Sequence, residues 1–438
     1  MSIRLWPAGG LPPWRRGFPF FLAEPRSAVE RLRAAGSMQV WSHGPIWKRL
    51  VLGCAMAVGW PVATLFDSMK FSAKRANWGG EAGFVTTFAD LYRAALWRNI
   101  PPSQYAVHAS FGVEPDRLAD FLMPLDLLAL RRVSAAQGAR PSDVQDKARF
   151  EQICRGLDLP CVPTLSAFDH GASTGEDMLR KWKAPLFVKA LTGNRGAGAE
   201  LWQPGGRGFV SRNGQELTLD EFIDWLRPQN CIVQPVLEDH PALQAFGTVA
   251  LSNIRLITAK ARDAPAVPIA ASLSLAVEEG SLTGHAGIHC GIDIATGTIT
   301  GISRSVEEDD RLAGRDVVGF VVPDWGECVR IACKAHDEGF SAFTTLGWDV
   351  ALTAAGPVLL EANLDWRIVG HQKLTGPLCQ TALADVIDAL LAPAKADRLP
   401  ADPPSGQAVR SPSPAPRASP GPSGVGNRKP RRRAAKAS

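Results

Sequence analysis

The chain has 438 residues, enough for two or three domains with a substantial buried core, and its 45% hydrophobic and 21% charged content is that of a soluble globular protein. Its formal charge of +5 is unevenly placed: from Ala401 onward there are eight Lys or Arg and one acid, Asp402, so the rest of the chain carries about −2. That balance excludes a globular part that binds nucleic acid through bulk charge.

The eight cysteines are scattered without a CxxC pair, which argues against a disulfide framework or a zinc site and for a reducing compartment. With no secretory signal in view, a cytoplasmic location is expected.

In chain order, residues 1 to about 45 ("WPAGGLPPWRRGFPFF") show no clear period and are expected to be poorly ordered; Met38 is a plausible later start. Leu50 to Phe66 is the longest apolar run, flanked by Lys48, Arg49, Lys70, Lys74 and Arg75. It is short for a spanning helix and contains Gly59 and Pro61. Two readings stand: a segment at the inner face of a membrane, favoured by the basic flanks, or a buried helix kinked at Pro61.

Residues 84–136 read as amphipathic helices interrupted at Pro101 and Pro102. "DKARFEQICRGLDLP" reads as a helix opened by Lys147, and "APLFVKAL" as a strand. Strands and helices alternate to about Leu391, which is α+β or α/β material. After Pro393 the Pro, Ser, Gly and Arg content cannot bury enough apolar area to offset ordering entropy, so a disordered basic tail is expected. Its "RKPRRR" is suited to anionic lipid, nucleic acid or an acidic partner.

Four stretches carry chemistry. "GWDVALTAAGPVLLEAN" reads as a hairpin that brings Asp349, Glu361 and Asn363 to its open end, with Asp349 opposite or within one residue of Glu361. These are hard oxygen donors suited to Mg²⁺, although charges at a hairpin end also pair with Arg or Lys. "PLFVKALTGNRGAGAELW" is a strand ending in Lys189, then a loop of Gly193, Asn194, Arg195, Gly196 and Gly198, whose backbone N–H groups can approach phosphate closely. It is neither a Walker A nor a Rossmann loop. "NCIVQPVLEDHP" offers a strand edge from Gln234 through Val236 to Glu238 that suits adenine and ribose. In "LSNIRLITA", Arg255 lies among apolar residues, where a cation needs an anionic partner.

Together these stretches resemble the ATP-grasp superfamily. "VQPVLEDHPAL", "SNIRLITA", "GHAGIHCGIDIATG" and "GWDVALTAAGPVLLEAN" look more closely like its sugar-transfer-associated branch, a glutamate-ligase-like group. The resemblance covers roughly residues 85–392. It implies an α+β ATP-grasp fold in which two α/β subdomains grip ATP, with a helical region before it and the disordered tail after it. The corresponding division is 1–80, a variable segment with the apolar stretch 50–66; 81–180, a helical region; 181–393, the catalytic domain; and 394–438, the tail.

Carried over residue by residue, the resemblance implies that Lys147 and Lys189 contact ATP phosphates under a flap formed by Gly193 to Gly198. Gln234, Val236 and Glu238 would take adenine and ribose, Arg255 would act with Lys189 at the reacting phosphate, and Asp349, Glu361 and Asn363 would hold Mg²⁺. His285, His289, Asp293, Arg367 and Gln372 are candidates near the site, and "LDWRIVGHQ" departs from the pattern in bulk and charge. The implied activity is an ATP- and Mg²⁺-dependent carboxylate–amine (or thiol) ligase acting through an acyl phosphate, with small-molecule or glycan substrates of cell-surface polysaccharide synthesis. A kinase-like phosphotransferase and a non-catalytic assembly protein at the membrane are the alternatives; specific nucleic-acid binding would rest on the tail alone.

Overall fold

A computed structural model of the chain describes residues 12–42, 45–75, 82–169, 171–191, 199–277, 287–303 and 311–392. The glycine-rich loop 192–198, His285 and the basic tail lie outside the described residues.

The amino-terminal third is helical: α1 (Ala28–Ser42), α2 (Ile46–Ala73), α3 (Phe84–Arg98), α4 (Pro102–Ala109) and α5 (Pro124–Ala136). Short α6 (Ser142–Gln145) leads to α7 (Lys147–Gly156). α1 corrects the expectation of disorder before residue 45 within the described part. Its Val29 and Leu32 are buried, and two of its three charged residues are paired inside: Arg33 with Asp126 at 2.8 Å, and Glu30 with Arg98 at 2.8 Å. A periodicity count sees those charges as a solvated face, because the partners lie 93 and 68 residues away.

α2 also differs from expectation, running well beyond 50–66 and continuing through Pro61. A proline removes one donor from the ladder. Close by, the Thr64 hydroxyl donates to the Trp60 carbonyl at 2.8 Å.

Seven strands form the first sheet: β1 (Ser166–Asp169), β2 (Ala172–Thr174), β3 (Leu186–Ala190), β4 (Glu200–Pro204), β5 (Gly208–Ser211), β6 (Glu216–Thr218) and β7 (Cys231–Pro235), in the order β2-β1-β7-β3-β4-β5-β6. α8 (Glu176–Lys181) and α9 (Leu219–Leu226) supply Leu179 and Phe222 to a core with Phe168, Leu186, Val188 and Trp202. Period two then turns Phe187 and Lys189 to the other face. The sheet uses residues from 166 onward, upstream of the boundary expected at 181.

After α10 (Pro241–Gln244), the second sheet holds β8 (Asn253–Ala259), β9 (Val267–Leu275), β10 (Ile288–Ile292) and β11 (Ile299–Ile302). A small ribbon, β12 (Arg311–Leu312) and β13 (Arg315–Asp316), and α11 (Trp325–Lys334) precede the long hairpin β14 (Thr345–Thr353) and β15 (Gly356–Asn363). α12 (Ile368–Thr375) and α13 (Leu383–Leu391) complete the described chain. The order is β11-β10-β9-β8-β14-β15.

One face of this sheet packs Ile254, Leu256, Trp348 and Val350 against Phe150 of α7 and Ile331 of α11. The other face is apolar at one end only, where Ile257, Ala259 and Ala270 meet Val29 of α1, Leu130 of α5 and Ile387 of α13. Its other end is polar.

A short segment ties the sheets together. Leu359 of β15 donates to the Pro160 carbonyl at 2.9 Å, Val162 donates back to Leu359 at 3.2 Å, and Leu165 donates to Val233 of β7 at 2.8 Å. Residues 160–165 thus staple β15 to the strand next to β3.

Candidate functional site

The polar end of the second sheet is built by register. Arg255 of β8 pairs with Ser272 of β9 on one side and Asp349 of β14 on the other, and Asp349 pairs with Glu361 of β15. Cross-strand partners share a face. One row therefore reads Ser272, Arg255, Asp349, Glu361. The next row pairs His289 of β10 with Ser274 of β9 and Ser274 with Asn253 of β8.

Simple counting back from the turn places Leu360, not Glu361, opposite Asp349. The ladder pairs Val350 with Leu359 and then Asp349 with Glu361, so Leu360 is the extra residue of a β-bulge. Pro357, Leu359 and Ala362 are buried, whereas Glu361 and Asn363 turn to the polar face.

Asp349 is buried, and its carboxylate is shared. Arg255 Nη2 donates to Oδ2 at 2.8 Å. Arg255 Nε is in close ionic contact with Oδ1 but off a hydrogen-bond direction, so that oxygen accepts no aligned donor. Asn363 Nδ2 lies 3.3 Å from Asp349 Oδ2 and 3.2 Å from Glu361 Oε1, between the two carboxylates.

The charges report their own neighbours. Burial pushes the Asp349 carboxyl up to about 6, against the pull of Arg255, and Glu361 adds to the rise. Burial also pushes Glu361 up, but Lys189 and Lys147, with Asn363 and Arg255, outweigh it and hold it below its ordinary value. Burial pushes the Lys189 ammonium down to about 8; Glu361 and Asp349 oppose this and Lys147 adds to it. By exposed area Lys189 is only half-buried, but its ammonium is enclosed among these groups. Lys147 arrives from the first turn of α7, where the Asp146 side chain caps Ala148 N at 3.0 Å. Two lysines from different elements thus act on Glu361, and Lys189 acts on Asp349 as well.

The structure distinguishes among the other expected residues. Gln234 is buried, with its amide directed at the Val162 carbonyl at 3.5 Å. Val236 commits its N–H to Pro185 at 3.3 Å. Glu238 is exposed, while neighbouring Asp239 is buried and accepts from Ser252 N at 2.8 Å and Oγ at 2.7 Å, a structural role. Asp293 is an exposed turn residue capping Thr296 N at 2.8 Å. Gln372 is a clamp: its amide exchanges two 2.8 Å hydrogen bonds with the Leu122 backbone. Gly193, Asn194, Arg195, Gly196 and Gly198 lie outside the described residues.

"LDWRIVGHQ" crosses the polar face. Trp366 is fully buried, Arg367 takes φ 57°, and α12 starts there. Burial pushes His371 down to about 3, with Arg255, His289 and Arg367 acting in the same direction, so the imidazole is neutral and three cationic or imidazole groups surround it. Asn253 also lies close enough to Asp349 to pull its carboxyl down. Sequence reasoning missed Asn253 and His371; the two-residue step from Asn253 to Arg255 was a signal for the first.

Among the described residues there is no cluster of three or more His, Cys, Asp or Glu placed to hold a metal. The donor set here is two carboxylates and an amide. That set fits a hard divalent cation completed by substrate phosphates: two carboxylates face each other across the ladder, and the Asn363 amide lies between them.

Two sheets joined through residues 160–165, with Lys189 on the first, Lys147 at the start of α7 and a carboxylate hairpin in the second, are the arrangement of the ATP-grasp class. Residues 136–382, more than half of the chain, match the family described as sugar-transfer associated ATP-grasp, and the chain belongs to that family. A comparison with curated protein sequences returned no match.

Solved structures similar to this chain include a RimK-domain ATP-grasp protein from Sphaerobacter thermophilus (14% identity, 59% of this chain and 70% of that one, TM-score 0.30). Others are N5-carboxyaminoimidazole synthetase from Staphylococcus aureus complexed with ADP (12%, 56% and 52%, 0.34) and D-alanine–D-alanine ligase from Helicobacter pylori (10%, 56% and 61%, 0.34). The chain thus spans less than two thirds of the last two.

Proposed function

We propose that the protein is an ATP- and Mg²⁺-dependent ligase that activates a carboxylate as an acyl phosphate and transfers the acyl group to an amine. The supporting observation is that Lys147 and Lys189 both act on Glu361 and Lys189 also on Asp349, with Arg255 bonded to Asp349. In this reading Lys147 and Lys189 bind the phosphates of ATP, and Gln234, Val236 and Glu238 border the adenosine. Asp349, Glu361 and Asn363 hold Mg²⁺, which offsets triphosphate charge when bound. The substrate carboxylate attacks the γ-phosphorus, ADP leaves, and the amine then displaces phosphate from the acyl phosphate. Arg255 stabilises charge on the transferring phosphoryl group, and positioning supplies most of the acceleration. Arg255 and Arg367, both close enough to His371 to depress it, favour an anionic acceptor. The family description directs the search to glycans or their precursors.

The test is ADP release with mixtures of carboxylates and amines, with Glu361→Ala as control. The reading predicts turnover that needs both partners and collapses in the variant. Turnover with a hydroxyl acceptor and no carboxylate would assign a phosphotransferase instead, and unchanged turnover in Glu361→Ala would overturn the metal assignment.

A further inference from the structure

α2 is apolar on two sides. Its buried side, with Leu52, Met56 and Trp60, packs on neighbouring helices, and Trp60 Nε1 donates to the Ala95 carbonyl at 2.9 Å. Its other side is exposed: Trp47, Val51, Cys54, Val58, Val62 and Met69. Val58 is 68% exposed and Val62 50%. The steps between these residues are combinations of three and four, so they form one straight line. At 1.5 Å per residue the line is about 33 Å long. A soluble surface helix carries polar residues there. Adjacent α3 also exposes apolar residues, Val85 at 76% and Trp97.

The charges decide what covers this line. Lys48 and Arg49 lie at one end, and Lys70, Lys74 and Arg75 at the other. The one acid on the helix, Asp67, is paired with Arg15. A second copy of the chain, packed parallel or antiparallel, would set basic end against basic end. A spanning arrangement would strip α2 from α3 and break the Trp60–Ala95 and Asp67–Arg15 contacts. An anionic bilayer surface satisfies both features: acyl chains receive the apolar line and headgroups receive both basic ends.

We propose that α2 lies in the plane of a membrane surface containing anionic lipid and docks the protein there through the Trp47–Met69 line. This proposal does not rest on the ligase reading.

The test uses the purified full chain with vesicles of phosphatidylcholine alone or mixed with phosphatidylglycerol. Binding should favour the mixed vesicles by about tenfold, fall with salt, and be lost to alkaline carbonate extraction. Val58→Glu with Val62→Glu should weaken binding at least about tenfold, while melting temperature and ADP binding stay unchanged. A separate Lys70→Glu, Lys74→Glu variant should lose the preference for anionic lipid. Absence of vesicle binding, equal binding by the Val58/Val62 variant, or resistance to carbonate would each overturn the proposal. So would a dimer of the wild type that the same substitutions dissociate without any vesicle binding.

Discussion

Asp349 and Glu361 face each other across the β14–β15 ladder because Leu360 is an extra residue in β15. The bulge holds two carboxylates on one face, and Asn363 Nδ2 reaches both. Like charges placed together in a buried site favour either a proton or a cation.

The sign of the pH dependence follows. Asp349 is raised from its usual value to about 6, chiefly by burial. Its protonated form is therefore favoured by the fold, so the stability it contributes to the metal-free protein is present below about pH 4 and is lost as pH rises through about 6. On the proposed reading, Mg²⁺ binding displaces that proton. The further rise in melting temperature that Mg²⁺ adds to that of ADP alone should be small at pH 5, full by pH 7, and absent in Glu361→Gln at either pH. A rise of equal size at both pH values would refute the linkage.

Lys189 makes a second prediction. Burial lowers its ammonium to about 8, so near that pH about half of the free protein carries a neutral lysine. Phosphate beside it would restore the charge. ADP binding near pH 8 should take up about half a proton, seen by calorimetry in buffers of different ionisation enthalpy. Affinity should fall as pH rises through about 8. Lys189→Met should bind ADP more weakly with no uptake, and uptake that persists in that variant would assign it to another group.

The hairpin, its open-end donors, Lys147 at a helix start and Lys189 at a strand end were legible because each depends on local period and turn chemistry. Features set by distant partners were not. The bulge at Leu360 is invisible to counting, since it depends on how β15 pairs. Glu238 and Asp239 are adjacent acids, and only Ser252, 13 residues on, marks Asp239 as the buried structural one. α1 is hidden by charges whose partners come from other helices, and the Gln372 amide is committed to Leu122, 250 residues away.

Gly347 explains how "LDWRIVGHQ" fits the face. It pairs with Asn363, and a methyl at its position would overlap Trp366 Cβ and approach Ile257 Cδ1 at 3.2 Å. Trp366 is fully buried there, immediately before Arg367 and the turn into α12. Gly347→Ala should cost about 1–3 kcal/mol by overpacking. Because Arg367 and His371 follow Trp366, KM for the acceptor should rise more than KM for ATP. Urea unfolding and steady-state kinetics measure the two effects; an equal rise in both KM values would place Trp366 outside acceptor positioning.

Arg33 and Asp126 provide a test of the helical region, with side chains only 3% and 1% exposed. Arg33 also donates to the Phe121 carbonyl at 3.0 Å, tying α1 to the turn before α5. The Coulomb attraction of such a pair is largely offset by desolvation, but breaking it leaves one buried charge alone. Asp126→Ala should therefore destabilise by about 3–5 kcal/mol in urea unfolding. Replacing both, as Arg33→Met with Asp126→Leu, should recover most of that loss, because no charge is stranded. If the double variant is as unstable as Asp126→Ala, the loss comes from the Asp126 cap on Met123 N at 2.7 Å and not from the stranded guanidinium.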